Sequence, residues 1–137
     1  MDLPLPHRWS AGFDGLYGLV VTDAAPGSIR GEVAVGAEHL QPAGLVHGGV
    51  YAAIAESLAS VGTLLGVGED HAVMGSSNLT SFMRPISEGT IHAAGEARHR
   101  GRTSWVWEVE CADDAGRACV LSRVTIAVRD RPPDATS

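Results

Sequence analysis

Hydrophobic and polar residues alternate through most of the second half of the chain, which is typical of half-buried β-strands. The clearest stretch is TSWVWEVEC, where Trp105, Trp107 and Val109 occupy every second position and two glutamates lie between or beside them. Similar patterns, separated by short turns, occur over residues 71–85, 90–100 and 118–128. The pattern therefore predicts four consecutive strands connected by short turns.

The first half of the chain has a different pattern. SIRGEVAVG, residues 28–36, alternates and predicts one strand, whereas residues 9–21 are ambiguous between a helical turn and a strand. Residues 44–66, GLVHGGVYAAIAESLASVGTLLG, are rich in Ala, Leu and Ile and predict a helix from about Gly49 to Leu65. The order of one strand, a long helix and four strands indicates an α+β fold with a curved antiparallel sheet around one main helix.

Chain length supports a single domain over residues 1–137, with enough residues for a hydrophobic core. The Pro-rich polar ends, about 1–9 and 130–137, are expected to be flexible. The central helix lacks the usual polar stripe, so we expect the sheet to bury it on nearly all sides. Its polar residues argue against a membrane span, and no signal sequence is evident, so we expect a cytoplasmic protein.

The charge pattern restricts the function. The formal net charge is −6, which argues against nucleic-acid or membrane binding as the main role. All ten basic residues are Arg, so Schiff-base and phosphate-loop lysines are excluded. The cluster Arg98, Arg100 and Arg102 suggests a phosphate-bearing ligand, although a solvated strand face is the alternative. Cys111 and Cys119 lack metal-site spacing and are expected to be free buried thiols.

Glu56 is the only formally charged side chain in residues 44–66. Ala52, Ala59, Ser60 and Thr63 lie three, four or seven residues away, so small or hydroxylated side chains are expected to leave space beside it. An ionisable group in an apolar segment is a candidate for site chemistry. The alternative is that Glu56 reaches solvent or pairs with an arginine.

The sequence HGG precedes this helix. Gly48 and Gly49 place backbone N–H groups at the positive N-terminus of the helix, which suits a developing oxyanion, although a simple loop-to-helix junction is the alternative. Eight residues separate Gly48 from Glu56, or about 12 Å of helix. Because that is too far for both to act on one carbonyl, a shared site would need two subunits around a two-fold axis.

At these residues the sequence resembles the hotdog-fold acyl-CoA thioesterases of the phenylacetate-degradation type. The resemblance is greatest to the 4-hydroxybenzoyl-CoA thioesterase branch with a helix-borne Glu. The motifs are GLVHGGVYAAIAES, SSNLTSFMRP, HRGRTSWVWEV and DDAGR, and the similarity extends from about Gly31 to Arg131. It implies a sheet wrapped around one helix, homodimers that commonly pair into homotetramers, and hydrolysis of an acyl-CoA without a metal or cofactor. The branch of greatest resemblance favours an aromatic acyl group.

The resemblance also implies residue roles. Glu56 would be the nucleophile or the general base, and the N–H of Gly48 would bind the thioester oxygen. Gln41 would lie near the thioester, Ser60 would help to position the carboxylate or water, and His47 would hold the loop or line the site. The residues matching positions that contact coenzyme A are Arg84, Arg102, Thr103 and Arg131, of which Arg102 replaces a small polar residue in relatives.

The sequence is also compatible with two other functions. A hotdog hydratase or dehydratase would pair a His with an acid, and both His47 and Glu56 are present. A non-catalytic acyl-CoA-binding module would keep the fold and the arginines without turnover. FDGLYG only superficially resembles a motif of another thioesterase branch, so Asp14 is given no catalytic role.

Overall fold

The computed structural model describes residues 11–132. The expected flexible segment 1–9 and residues 133–137 of the other one lie outside the described residues, whereas residues 130–132 lie inside them. The elements, in chain order, are helix α1 (Gly12–Tyr17), strands β1 (Val20–Ala25) and β2 (Ser28–Ala34), a 3-10 turn (Ala37–His39), helix α2 (Gly48–Val67) and strands β3 (His71–Phe82), β4 (Thr90–Arg100), β5 (Ser104–Ala112) and β6 (Ala118–Asp130). The ambiguous segment 9–21 thus contains both a short helix and the start of a strand.

The six strands form one sheet in the order β1-β2-β4-β5-β6-β3, and each neighbouring pair is antiparallel. The chain leaves β2 through the 3-10 turn, forms α2 and returns to the far edge of the sheet as β3. The remaining strands then fill the space between β3 and β2. This confirms the predicted α+β hotdog fold and makes β1 and β3 the two edge strands.

The inward face of β5 forms the core against α2. Trp105, Trp107 and Val109 are buried, as their alternation predicts. Trp107 is fully buried, and its indole N–H donates to Thr63 Oγ1 over 2.8 Å. A methyl group on Gly62 would lie 2.5 Å from Trp107 Cη2, so the absence of a side chain at Gly62 allows the helix to pack closely on the sheet.

Helix α1 is attached to α2 by a polar cluster. Asp14 Oδ1 accepts hydrogen bonds from Ser57 Oγ at 2.6 Å and from Tyr17 Oη at 3.0 Å. Burial is the main cause that raises the pKa of Tyr17, so its phenol stays protonated and donates. The Tyr17 carbonyl in turn accepts from His39 Nε2 at 2.7 Å. Asp14 therefore has a structural role.

The hairpin between β5 and β6 is held by one carboxylate. Asp113 accepts hydrogen bonds from the backbone N–H groups of Ala115 and Arg117 and from Arg117 Nε. The backbone N–H of Arg117 contributes most to holding the pKa of Asp113 below its usual range. Gly116 has φ 79°, the left-handed conformation expected of this turn. Both flanking cysteines are free and buried, as predicted.

The expectation that the sheet buries α2 on nearly all sides is wrong for the single chain. Only nine of the 20 helical residues are buried, and Glu56 is exposed. The physical reason is that one curved sheet covers one side of the helix and leaves the other side open. α2 is long and apolar enough to span a membrane, but half of its most hydrophobic window is buried in the protein, as in a core helix.

Candidate active site

The N-terminus of α2 is organised by His47. Its Nδ1 accepts a hydrogen bond of 2.8 Å from the N–H of Gly49, which makes His47 the N-cap residue. The expectation that both glycines offer free N–H groups is therefore wrong, because this cap engages Gly49. Within residues 11–132, the Gly48 N–H has no hydrogen-bond partner. A single backbone donor thus remains at the positive end of a 20-residue helix.

The loop before α2 brings Gln41 to the same place. Leu40 pairs with Val46, and the N–H of Gln41 donates to the Leu45 carbonyl over 2.7 Å, so the intervening loop is a tight turn. The Gln41 Oε1 accepts from the N–H of Ala43 inside this turn. That bond holds the side chain in place and leaves the amide NH₂ group for a ligand.

Gln41, Gly48 and Arg84 line one cavity of about 520 Å³. It lies between the start of α2, the segment after β3 and the start of β6. Most of its remaining lining is apolar, and includes Leu45, Tyr51, Phe82, Met83 and Val120. The structure therefore brings three predicted site residues together around an apolar cavity beside the Gly48 N–H.

Two aromatic residues of this cavity had no predicted role. The Phe82 ring lies against the Cα of Gly48: a Cβ added there would be 2.9 Å from two ring carbons. Tyr51 packs against Phe82 with ring centroids 6.2 Å apart. In the sequence, the two aromatic residues appear only within the segments HGGVY and SFMRP. Neither segment indicates that the end of β3 lies over the start of α2.

The Tyr51 hydroxyl is buried without a hydrogen-bond partner in the described part of the chain. Burial, followed by the influence of Cys119, raises the pKa of Tyr51 to about 12, although the nearby backbone of Ile86 lowers it slightly. The phenol is therefore neutral at physiological pH, and the cavity wall it forms is uncharged.

Glu56 lies on the open side of α2, away from this cavity. It makes no hydrogen bond or ion pair within the described chain, so the pairing with an arginine that was the alternative is not observed there. Its side chain lies along β3: a Cβ added to Gly75 would be 2.9 Å from Glu56 Cδ. Glu56 and Gly48 are separated by eight residues of continuous helix, about 12 Å.

Small side chains surround Glu56 on the open side, but fewer than predicted. Ala52 and Ser60 are half-buried and share this side, whereas Ala59 and Thr63 are fully buried against the sheet. The reason is the helical period of 3.6 residues, which turns Ala59 and Thr63 further towards the core. An open surface with few protruding side chains therefore runs along α2 and consists of Gly49, Ala52, Glu56 and Ser60.

The other predicted substrate-binding residues lie at the opposite end of the sheet. His71 of β3 pairs with Asp130, and Phe82 pairs with Val120, so Arg131 follows the end of β6 that lies near the end of α2. Arg131 donates to the Glu69 carbonyl over 3.2 Å, and Arg129 donates to the Thr103 carbonyl over 3.0 Å. Along β6 this end is roughly 35 Å from the cavity.

Arg102 and Thr103 form the turn between β4 and β5 at this same end. Arg98 and Arg100 point elsewhere: Arg98 pairs with Glu108 over 3.5 Å, and the Arg100 guanidinium lies 6.0 Å from the Trp105 ring centroid. The predicted RHRGR cluster therefore divides into strand residues with partners in the chain and an exposed Arg102. Within one chain, Arg84 and the group Arg102, Thr103 and Arg131 do not meet.

Comparisons with known proteins agree with this fold and motif arrangement. The Thioesterase superfamily profile matches residues 43–120, from the loop before α2 to the start of β6. A Mycobacterium tuberculosis protein that carries an esterase name is 37% identical over 91% of each chain. A Klebsiella pneumoniae proofreading thioesterase is 36% identical over 81% of each chain.

Solved structures are also similar. The structure of the Mycobacterium tuberculosis protein matches with a TM-score of 0.84 at 35% identity, covering 88% of this chain and 98% of the other. A mutant thioesterase from Pseudomonas aeruginosa matches with a TM-score of 0.86 at 27% identity over 90% of each chain. The sequence match, the shared fold and the helix with HGG at its start lead to the same conclusion: the chain belongs to the thioesterase superfamily.

Proposed function

We propose that the protein is an acyl-CoA thioesterase, which converts an acyl-CoA and water to the free acid and coenzyme A. The observation that carries this proposal is the Gly48 N–H at the start of α2, which has no hydrogen-bond partner in the described chain and lies beside an apolar cavity of about 520 Å³. The thioester carbonyl oxygen would accept from this N–H and the acyl group would enter the cavity. An N–H aimed at an oxygen that gains negative charge stabilises the transition state.

The active site requires a second subunit. Glu56 is about 12 Å along the helix from Gly48 of its own chain, too far for both to act on one carbonyl. Antiparallel pairing of two α2 helices through Gly49, Ala52, Glu56 and Ser60 would bring Glu56 next to Gly48 of the partner subunit. Small side chains on this surface would allow the helices to approach closely.

The edge of the sheet supports the same pairing. β3 is an edge strand of 12 residues, and within residues 11–132 no strand pairs with its outer side. Met74 is 54% exposed, Leu79 71% and Phe82 59% on this strand. A long, apolar, unpaired edge is a site for pairing with another chain. We therefore propose a homodimer with a continuous sheet, which the family resemblance extends to a homotetramer.

In this composite site, Glu56 would either attack the thioester carbonyl carbon directly or remove a proton from the attacking water. In both routes the C–S bond breaks, the sulfur leaves as coenzyme A thiol after protonation, and one water is consumed. Ser60, one helical turn after Glu56, would hold the carboxylate or the water. Gln41 would orient the thioester, while His47 maintains the N-cap that leaves the Gly48 N–H available.

Two groups of residues would bind coenzyme A. Arg84 lines the cavity beside Gly48, where it would contact the pantetheine arm or a phosphate. Arg102, Thr103 and Arg131 lie near the end of α2, on the Glu56 side of a two-fold dimer, and would contact the nucleotide. The two groups would then act in one site although they lie far apart in one chain. No further cofactor is needed, since a thioester is already activated.

We also propose that the substrates carry an aromatic, hydroxybenzoyl-like acyl group. Tyr51 and Phe82 provide aromatic surface inside the cavity. Ring-to-ring contacts favour a planar acyl group by about 0.5–1.5 kcal/mol beyond area burial. The free, buried thiols of Cys111 and Cys119 fit the proposed cytoplasmic location.

The test is release of free thiol from a panel of aromatic and aliphatic acyl-CoAs by the wild type, Glu56→Ala and Glu56→Gln. We expect turnover by the wild type and a loss of at least about 10²-fold in kcat for both variants. Ser76→Ala, an exposed change on β3, is the control and should keep wild-type turnover. Near-native turnover by Glu56→Ala would exclude the proposed mechanism. Coenzyme A binding without turnover would indicate a binding module, and hydration of an enoyl-CoA would indicate a hydratase.

A further inference from the structure

Gly75 lies in β3 directly beside the proposed catalytic carboxylate. The strand pairing of β3 with β6 is interrupted between Gly75 and Ser77 by a β-bulge. At this bulge a Cβ built on Gly75 would be 2.9 Å from Glu56 Cδ, 3.1 Å from Oε2 and 3.2 Å from Cγ. All three of the nearest atoms that such a Cβ would meet belong to Glu56.

The backbone does not require glycine at this position. Gly75 is absent from the set of glycines with positive φ, which contains seven other members of the described chain. Alanine can therefore adopt its conformation, and in a strand interior alanine is normally preferred over glycine. Within the described chain, the Glu56 side chain occupies the space that a Cβ at position 75 would need.

Resting on the proposed function, we propose that Gly75 is a positioning residue: the missing side chain forms a seat in the β3 bulge that holds the Glu56 carboxylate in its reactive position. Glu56 has no hydrogen bond or ion pair elsewhere in the described chain, so contact with β3 is what limits its rotamers. A bulge beside an active site commonly aims a side chain in this way.

The space at Gly75 affects the position of the Glu56 carboxylate and not the stability of the fold. Glu56 is exposed, and its carboxylate is the far end of a flexible side chain, so a methyl group at Gly75 would push it aside at little cost to the fold. Because the alanine backbone is also less flexible in the unfolded chain, Gly75→Ala should keep or raise the melting temperature. Lower activity at equal or higher stability is therefore the expected signature.

The experiment compares wild type, Gly75→Ala, Ser76→Ala and Glu56→Ala in the acyl-CoA hydrolysis assay, with melting temperature and dimer mass measured for each. For Gly75→Ala we expect kcat to fall about 10- to 100-fold while KM stays within about twofold, as for a carboxylate misplaced by roughly 1 Å. Ser76→Ala changes the adjacent bulge residue, whose hydroxyl contacts only the Thr125 carbonyl, and should keep wild-type kcat.

A shortened carboxylate provides the second readout. Glu56→Asp removes one methylene, so its carboxyl carbon takes the place of Glu56 Cγ, 3.2 Å from the added methyl carbon instead of the 2.9 Å of Cδ. We expect Gly75→Ala to lower the kcat of Glu56→Asp by less than about threefold, far less than its effect on the wild type. Loss by the same factor in both backgrounds would show that the methyl group acts elsewhere and would overturn the proposal.

The remaining outcomes separate this inference from the proposed function. Wild-type kcat for Gly75→Ala, with Glu56→Ala inactive, overturns the seat and leaves the thioesterase mechanism standing. A Gly75→Ala protein that no longer has the mass of a dimer, or that melts at a lower temperature than wild type, overturns the inference about Gly75 as well, since the effect would then come from assembly or folding. Full activity of Glu56→Ala overturns the proposed function itself, and the seat with it.

Discussion

One side chain decides which backbone donor is left at the start of α2. Nδ1 of His47 engages the N–H of Gly49, and the N–H of Gly48 remains. The same Gly48 lies under the Phe82 ring, where a Cβ would be 2.9 Å from two of its carbons. A side chain at position 48 would therefore displace Phe82 and fill the approach to the N–H, which explains glycine at this position without any need for unusual dihedral angles.

The cysteines give a test of burial at the residue scale. Cys111 and Cys119 are 1% and 0% exposed. Burial, with a further contribution from Cys119, raises the pKa of the Cys111 thiol to about 12, and burial also raises that of Cys119. Because the thiolate is the reactive form, we expect no reaction with a disulfide reagent at pH 8 in the native protein and reaction of two thiols per chain after unfolding.

The number of thiols that react with the disulfide reagent, followed over time, measures their reactivity directly. The controls are the single-cysteine variants Cys111→Ser and Cys119→Ser, each of which should lose one thiol from the count after unfolding. Fast reaction of one native thiol at pH 8 would contradict the prediction, as it would require an exposed thiol whose pKa is not raised by burial.

The helix–sheet contact belongs to the scale of the elements. A methyl group on Gly62 would lie 2.5 Å from Trp107 Cη2, and both residues are buried, so neither can move into solvent. Overpacking costs about 1–3 kcal/mol, whereas the gain in helix propensity from Gly to Ala is about 1 kcal/mol. We therefore expect Gly62→Ala to lower the free energy of unfolding by up to about 2 kcal/mol, measured by urea denaturation.

A double variant shows whether Trp107 is the cause. Trp107→Phe removes the ring atoms that the methyl group would contact, although it also loses the hydrogen bond to Thr63. Gly62→Ala should therefore be less destabilising in the Trp107→Phe background than in the wild type. Additive losses in the double variant would contradict the packing argument.

The composite site makes a prediction at the scale of the whole molecule. Gly48→Pro removes the N–H donor at a position where the backbone tolerates proline, since Gly48 is the first residue of α2 and His47 is extended at φ −63°, ψ 135°. The proline ring also displaces the Phe82 side chain, which is exposed and can move into solvent. Glu56→Gln removes the acid. Each variant alone should be inactive. Refolded together in equal amounts, they should recover about a quarter of wild-type kcat, because half of the dimers are mixed and carry one intact site of two.

The recovery depends on where the two halves of the site reside. If Glu56 and Gly48 of the same chain formed a site, every site in the mixture would carry one defect and no activity would return. Melting temperature and dimer mass of Gly48→Pro, compared with wild type, provide the control that the variant folds and pairs. Absence of recovery between two folded, dimeric variants would exclude the two-fold arrangement.

The periodicity of the sequence predicted most of the fold. The alternation around Trp105, Trp107 and Val109 correctly identified the buried face of β5, because strands place alternate side chains on opposite faces. The apolar run after HGG identified α2 to within two residues at each end. Membership of the thioesterase superfamily is confirmed. The hydrolytic activity and all of the site roles stay predictions, and these roles concern Glu56, Gly48, Gln41, Ser60, His47, Arg84, Arg102, Thr103 and Arg131.

Tertiary structure alone decided which surfaces are covered. Local pattern could not show that Phe82 lies over Gly48, that Gly75 lies against Glu56, or that the open side of α2 leaves Glu56 exposed, because each depends on how β3 returns along the helix. Periodicity is a property of neighbours in the chain, so the sequence by itself determined the helix, the strands and their buried faces. Contacts between distant segments depend on the path of the chain in space, so only the folded sheet decided which donor, carboxylate and cavity wall lie together.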